Sequence, residues 1–358
     1  MIVSPGSTIG IIGGGQLGRM LAMAAAELGY YCHVFAPDAD PPAARVAARS
    51  TRAAYDDLAA LREFAASVDV ATYEFENLPA QALAELGDKL IPGTASLAIA
   101  QDRAIEKRFI EDHGGQVARW TSIDSDADAT AAERMLGLPL VFKSRRLGYD
   151  GKGQAWAREP GSAAAAWEAI GREPAVAEAG IDFAAEFSVI LARAASGETA
   201  AWDVPLNHHE GGILRRSTLP AGEQVEPLAA QAIEIARRLA EALGHVGVLT
   251  VEFFAIDRAR GASGPIVNEI APRVHNSGHW TIDGADTSQF EQHVRAICGL
   301  PLGSTRRLAP SVTMDNLIGD DVLRWPQLLA EPRAHLHLYG KGEPRPGRKM
   351  GHVTRLGD

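Results

Sequence analysis

Residues 268–280 read NEIAPRVHNSGHW, which sets Asn268, Glu269, Arg273, His275, Asn276 and His279 directly behind an apolar run. Histidine is the commonest nitrogen ligand of zinc, so a zinc site is the first chemistry the segment suggests. The spacing argues against it. Pro272 and Gly278 break the segment, so His275 and His279 lack the helix that would put them on one face. The carboxylates offer a different reading. If VEFFAID (251–257) and PIVNEI (265–270) form an antiparallel hairpin centred near residue 261, Glu252 falls opposite Glu269 or one position away. Facing carboxylates repel, and a hard divalent cation relieves the repulsion. Oxygen ligands suit magnesium, which keeps waters and takes nucleotide phosphates as its further ligands. The plainer alternative is a pair of solvated glutamates at a strand edge. With the glutamates on a metal, the planar guanidinium of Arg273 is free to hold a planar oxyanion, bicarbonate or carboxylate, beside His275. Asn276 then contacts the acceptor. The alternative for Arg273 is a structural ion pair with a nearby acid.

Three further stretches carry phosphate chemistry. Gly13, Gly15 and Gly18 in GGGQLG follow an apolar strand and open a helix, the setting in which backbone N–H groups favour an anion. A dinucleotide, another phosphate ligand and tight packing all remain open, because the acids at Asp38 and Asp40 come late for a ribose contact. GYDGKGQ, residues 148–154, puts three glycines and Lys152 between strands, as a flap over a polyphosphate would, with Lys143 at the end of the preceding strand. An exposed hairpin tip is the bland version. RPGRKMGH sets Arg348 and Lys349 after Pro346 and Gly347, either to close on a phosphate or as a solvated basic turn.

The elements that must position these residues follow from periodicity. The N-terminal hundred residues alternate strand and helix, with helices expected near 17–28 and over 57–67 and a strand in VDVATYEFEN, which predicts a parallel α/β unit. QDRAIEKRFIEDHG predicts a helix ended by Gly114 and Gly115, and residues 162–171 another. The stretch PAVAEAGIDFAAEFSVILARAASGETAAWDVPL predicts antiparallel strands. Residues 226–243 predict a strong helix with Leu228, Ile233, Ala236, Leu239 and Leu243 on one stripe.

Bulk composition narrows the class. The chain has 358 residues, 46% hydrophobic and 22% charged, as expected of a globular protein of two or three domains. A formal charge of -10 argues against nucleic acid as a partner. Two cysteines, Cys32 and Cys298, are too few for a disulfide framework, which suggests a reducing cytoplasm. IGIIGGG reads as a buried strand rather than a signal segment, and no long apolar run suggests a membrane span.

Taken in order, GGGQLGRM, TYEFEN, GYDGKGQ, VEFF, NEIAPRVHNSGHWT and RPGRKMGH resemble the 5-(carboxyamino)imidazole ribonucleotide synthase family of the ATP-grasp superfamily, over nearly the whole chain. The resemblance implies a mixed α/β and α+β chain. Its parts would be an N-terminal Rossmann-like domain (1–102), a small ATP-grasp lid (103–177), a large ATP-grasp subdomain (178–302) and a C-terminal segment packing on the N-terminal domain (303–358). It implies ATP- and bicarbonate-dependent carboxylation of 5-aminoimidazole ribonucleotide through carboxyphosphate and CO2, giving ADP and phosphate, in de novo purine biosynthesis.

On the family pattern, ATP is held by Arg103, Lys143, the flap (Gly148, Tyr149, Asp150, Gly151, Lys152, Gly153, Gln154), the linker Glu178, Ala179, Gly180 and Ile181, and by Glu186 and His209, with His208 as the alternative. Asn268 lies near the phosphates. Magnesium, or manganese in its place, sits on Glu252 and Glu269. The ribonucleotide lies against Gln16, Leu17 and Glu74, with Asn276, Lys341, Arg348 and Lys349 around its phosphate. Tyr149 and Asp150 border the acceptor. Arg273, His275 and Lys349 surround bicarbonate or CO2, and Asp150, His275 or a phosphate oxygen takes the amine proton. A homodimer is the family's usual state. A formate-dependent glycinamide ribonucleotide transformylase shares the layout, and an NAD-dependent oxidoreductase or a silent nucleotide-binding module are the readings from other classes.

Overall fold

The computed structural model describes residues 2–148, 152–256 and 264–358. Tyr149, Asp150 and Gly151 of the expected flap therefore lie outside the described residues, as does most of the RARGASG turn.

Four strands, β1 (Thr8–Ile12), β2 (Tyr31–Ala36), β3 (Arg49–Arg52) and β4 (Val70–Tyr73), form an all-parallel sheet in the order β3-β2-β1-β4. Strands β1 and β4 are buried almost throughout, as a sheet covered on both faces requires. The helix Gln16–Glu27 starts directly after the glycine turn.

The lid is a second sheet, made by β6 (Trp120–Ile123), β7 (Leu140–Ser144), β8 (Gln154–Ala157) and β9 (Ala175–Ala179), all antiparallel. The short strand β5 (Gln116–Val117) leaves the lid and runs parallel to an edge of the large sheet. The expected boundary at 177/178 falls inside β9.

The large sheet contains β5 with β10 (Phe183–Arg193), β11 (Thr199–Ala201), β12 (Leu206–Glu210), β13 (Ile213–Leu219), β14 (Gly247–Ile256), β15 (Pro265–Ala271), β16 (Ser311–Ile318), β17 (Ala334–Leu338) and β18 (Lys349–Gly357). The C-terminal strands β16 to β18 thus continue the ATP-grasp sheet through the β13–β16 pairing. They also reach the N-terminal domain, where Arg45 Nη1 donates to Gly340 O at 2.7 Å. The helix Glu226–Ala242 packs behind this sheet on Leu228, Ala232, Ile235, Ala236 and Leu239. Its buried stripe is turned slightly from the expected one, and Ile233 lies at its margin.

One helix couples the layers. Asp102 caps Arg103–Asp112 by accepting from Ala104 N and Ile105 N at 3.0 and 3.3 Å. The same carboxylate takes a bidentate fork from Arg145, at 3.0 and 2.8 Å, at the root of the flap. The start of this helix and the start of the flap are therefore fixed to each other.

Candidate active site

A cavity of about 1040 Å³ opens where the three layers meet. The residues that the family pattern assigns to the site line it, apart from Tyr149, Asp150 and Gly151, which are outside the described residues; His279, Gly13, Gly18 and the alternative His208 do not line it.

The floor comes from the hairpin of β14 and β15. Glu252 and Glu269 are direct register partners. One step on, Phe253 pairs with Val267, so Asn268 is an extra residue in the ladder. A bulge of this kind bends the strand and re-aims side chains. It explains how Asn268 and Glu269, which regular pleating would send to opposite faces, both line one cavity. A second register shift lies opposite His208 and His209, where Arg215 is the extra residue in β13, and strand alternation turns the two histidines to opposite faces. His209 lines the cavity and pairs with Glu186, whereas His208 is exposed beside Glu210.

The two carboxylates are locally compensated. Glu252 Oε1 sits 3.1 Å from His275 Nε2, and its Oε2 accepts from Asn268 Nδ2 at 3.3 Å. Burial would raise the Glu252 carboxyl, but the His275 hydrogen bond and charge, with His209 behind, hold it down to about 2. Glu269 Oε2 is 3.0 Å from Arg103 Nη1, and its side chain is 37% exposed. Two carboxylates that are register partners and line one cleft fit a hard dication such as magnesium or manganese.

Beside the floor stands a buried charge cluster. Glu178 lies between Lys107, 3.1 Å from its Oε1, and Lys143, 3.1 Å from its Oε2. Burial pushes this carboxyl up, but Lys107, Lys143 and Arg103 outweigh it and leave it at about 2. Burial also lowers Lys143, with Lys107 and Arg103 adding repulsion against the attraction of Glu178. The side chain of Glu178 therefore serves the cations, and its neighbours Ala179, at the end of β9, and Gly180 and Ile181, just after it, also line the cavity. Trp156, Phe183 and Phe254 add an apolar wall there, Phe183 and Phe254 stacking 4.6 Å apart.

At the opposite end the glycine turn receives an anion from its own chain. Gly18 N donates to Glu74 Oε2 at 2.6 Å and Gly15 N to Glu74 Oε1, so Glu74 occupies the positive end of the helix Gln16–Glu27. A Cβ on Gly15 would stand 2.8 Å from Glu74 Oε1. The turn keeps its anion-binding logic, and the dinucleotide reading is set aside, because the donors that would cradle a pyrophosphate are already used. Gln16 and Leu17 face the cavity from this turn, and Lys341, Arg348 and Lys349 face it from the loop before β18 and the first residue of that strand.

Arg273 donates through Nε and Nη2 to both oxygens of Glu76, and through Nη1 to Val274 O at 3.1 Å. Its fork is thus held by an acid within the site, the structural ion pair kept open as the alternative for Arg273, which leaves only the N–H groups not used in these bonds for a ligand. His275 is fixed at both nitrogens: Nε2 at Glu252 and Nδ1 2.8 Å from Ser277 Oγ. Ser277 continues a buried polar ladder through Ser188, Asn207 and Ser217, which ties this turn to β10, β12 and β13.

Three functional groups escaped sequence reading. Glu76 stands within TYEFEN, but nothing local marks it as the partner of an arginine 197 positions away. Lys107 and Glu106 are nearly fully buried on a helix read from the sequence only as a helix ended by Gly114 and Gly115. Their signal is the pairing of two charged residues within the inward stripe.

Comparison with known proteins bears on the family and the fold. Residues 6–101 match the ribonucleotide synthetase preATP-grasp domain, 108–290 the ATP-grasp domain, and 312–358 the phosphoribosylaminoimidazole carboxylase C-terminal domain. The chain is 50% identical to N5-carboxyaminoimidazole ribonucleotide synthase of Brucella melitensis, covering 99% of this chain and 97% of that one. It is 44% identical to the enzyme of the same name from Pseudomonas aeruginosa, over 97% and 93% of the two chains. Among solved structures, an ADP complex of an N5-carboxyaminoimidazole ribonucleotide synthetase superposes with a TM-score of 0.94 at 43% identity, over 100% and 94% of the chains. The Aspergillus clavatus N5-carboxyaminoimidazole synthase, in complex with ADP and 5-aminoimidazole ribonucleotide, gives 0.91 at 30% identity, over 98% and 94%. The chain belongs to the N5-carboxyaminoimidazole ribonucleotide synthase family, the ATP-dependent ATP-grasp ligases of de novo purine biosynthesis.

Proposed function

We propose that one cavity carries out the whole carboxylation, with ATP at the lid end and 5-aminoimidazole ribonucleotide at the glycine-turn end. The observation that carries this reading is the direct Glu252–Glu269 pairing between the Lys143 cluster on one side and Arg273, His275 and Lys349 on the other.

Adenine lies against the 179–181 turn and the Trp156–Phe183–Phe254 wall, and Glu186 takes ribose hydroxyls next to His209. Arg103, Lys143 and Lys152 bind the phosphates. Glu252 and Glu269 would hold a magnesium ion, which when bound neutralises phosphate charge. Bicarbonate, held against Arg273, His275 and Lys349, attacks the γ-phosphorus. ADP leaves and carboxyphosphate forms. Carboxyphosphate divides into CO2 and phosphate, and the acceptor's exocyclic amine captures CO2 as a carbamate with loss of one proton. Positioning and charge stabilisation suffice for the phosphoryl step, so no covalent intermediate on the chain is required. Water exclusion falls to the flap, because carboxyphosphate is hydrolytically labile. Gln16, Leu17, Asn276, Lys341 and Arg348 bind the ribonucleotide, and Glu74 holds the turn that presents Gln16 and Leu17. The family resemblance also supports a homodimer acting in the cytoplasm.

ADP release measured with and without bicarbonate and with and without aminoimidazole ribonucleotide tests the reading. Full turnover is expected only with both. Turnover with formate and glycinamide ribonucleotide instead would assign the transformylase chemistry. Lys152→Ala is expected to raise the ATP requirement and to uncouple ADP release from carboxylation. Unchanged kinetics would remove Lys152 from the flap's function.

A further inference from the structure

Behind the substrate-facing loop, away from the carboxylate floor, the C-terminal strands assemble a second set of metal-ligating side chains. His335 and His337 are two apart on β17, so strand pleating puts both imidazoles on one face. His352 lies directly opposite His337 on β18. Asp283, from the short helix Thr281–Gly284, closes over them: its Oδ2 is 2.8 Å from His337 Nε2, and its Oδ1 is 3.6 Å from His335 Nδ1. One ligand atom each from Asp283, His337 and His352 lie within 4.8 Å of one another.

A second observation points to a ligand. His352 is fully buried, with Nδ1 2.8 Å from the Tyr339 hydroxyl, and its Nε2 has no hydrogen-bond partner among the described residues. Nε2 of His279, whose ring is centred 4.8 Å from that of His352, is likewise buried without a partner among the described residues. Buried polar atoms normally find partners, and an unmet pair beside an H-x-H strand and a carboxylate has the character of a transition-metal site. The rim is open: the side chains of His337 and His335 are 25% and 43% exposed, which gives an ion a way in.

We propose that Asp283, His337 and His352, with His335 at the open edge, bind one divalent transition ion of the zinc class, separately from the Glu252–Glu269 pair. Imidazole nitrogens with one carboxylate oxygen suit zinc, cobalt or nickel and do not suit magnesium. The rings of His337 and His352 stack 4.5 Å apart and 14° from parallel, so one of them turns about its Cβ–Cγ bond to converge on the ion. His337 then ligates through Nε2 as the neutral ring, with its proton on Nδ1, and gives up its bond to Asp283. The ion would join β17 and β18 to the helix that follows Asn276, and so brace Asn276 and Lys349 from behind. Its role is structural.

The test uses full-length, tag-free protein stripped with chelator and then titrated with cobalt in saturating magnesium, which occupies the carboxylate pair. The expected result is the visible absorption of four-coordinate cobalt, saturating at about one ion per chain. Zinc should abolish it, and a further excess of magnesium should leave it unchanged. Absence of that band in the wild-type protein overturns the proposal without any variant. The band should vanish in His337→Gln and persist in Glu269→Gln. The opposite pattern would assign the ion to the carboxylate floor and also overturns the proposal. Zinc should raise the Tm of the wild type and not that of His337→Gln, whose folding is checked by circular dichroism and by ligase turnover in magnesium. If His337→Gln does not fold, His335→Gln serves, and a cobalt spectrum identical to wild type there removes His335 from the set.

Discussion

Glu76 and Arg273 show how a residue reads differently once its partner is known. A guanidinium in a cleft suggests an oxyanion receptor, yet its fork is held by Glu76. Burial would lift the Glu76 carboxyl, but Arg273 holds it below its usual range. The pair therefore fixes the plane of the guanidinium and presents its remaining edge. Glu76→Gln keeps the shape and removes the charge. The expected outcome is a rise in KM for bicarbonate of about tenfold, the equivalent of ~1.4 kcal/mol, with a smaller change for ATP. Equal rises for both substrates would make Glu76 a general structural residue. Glu106 makes the opposite case. Burial raises its carboxyl to about 8, Glu269 pushes the same way, and Arg103 together with the Ile270 N–H bond only partly offsets them. Its folded pKa lies above the unfolded value of about 4.3, so between those limits the folded state holds a proton that the unfolded chain has lost. Stability from this group is full below about pH 4.3 and falls as pH rises towards 8. Glu106→Gln mimics the protonated form. Its unfolding free energy in urea should draw level with wild type near pH 5 and exceed it increasingly towards pH 8, by about 1–3 kcal/mol. A constant difference across that range would place the proton elsewhere.

At the level of elements, the site depends on two devices: a bulge that puts Asn268 and Glu269 into one cleft, and a helix cap that also clamps the flap. Asp102→Ala removes the cap and the Arg145 fork together. A lost cap costs about 1 kcal/mol, and the lost charge pair adds to it, so a destabilisation of roughly 1–3 kcal/mol is expected in urea unfolding. A raised KM for ATP should accompany it if the flap root is what Asp102 holds. Stability loss with unchanged KM would confine Asp102 to capping. These devices also mark where sequence reading stops. Strand and helix positions follow from local periodicity, and the Glu252–Glu269 pairing follows from hairpin symmetry, so both were legible. The bulge was not, because the choice of which residue to leave unpaired is made by the packing of the whole sheet. Nor was the salt-bridge pattern around Glu178, since Lys107, Lys143 and Glu178 come from three elements and share no local motif. The glycine turn was legible as an anion site, but its anion proved to be Glu74, which only the β1–β4 pairing brings alongside.

At the scale of the molecule, the N-terminal domain and the large subdomain are joined by neutral histidines buried in their contact. His293 Nδ1 accepts from Val248 N at 3.0 Å, which leaves Nε2–H to donate to Thr72 Oγ1 at 2.8 Å. His245 Nε2 donates to Val248 O at 3.0 Å, and its Nδ1 accepts from Ser96 Oγ at the same distance. Thr72 and Ser96 belong to the N-terminal domain, Val248 to β14, so one backbone residue of the ATP-grasp sheet anchors both rings. A second proton on His293 would face the Val248 N–H, donor against donor. Burial first, and the like charge that His245 would carry second, lower His293 to about 3, while burial, against the Val248 bond and with Arg193 adding to it, lowers His245 to about 4. Both folded values lie below the unfolded value of about 6.5. Their contribution is therefore complete above pH 6.5 and is lost as pH falls from there towards the folded values, at up to about 1.4 kcal/mol per pH unit for each ring. His293→Gln keeps an acceptor and a donor in place of the ring but cannot titrate. Wild-type unfolding free energy should fall steeply between pH 6.5 and 5, and the variant's should fall less steeply by roughly one histidine's share. Since this contact holds the glycine-turn end of the cavity against the ATP-grasp sheet, activity of the wild type should decline within the same window, and identical slopes for the two proteins would show that acid lability arises elsewhere.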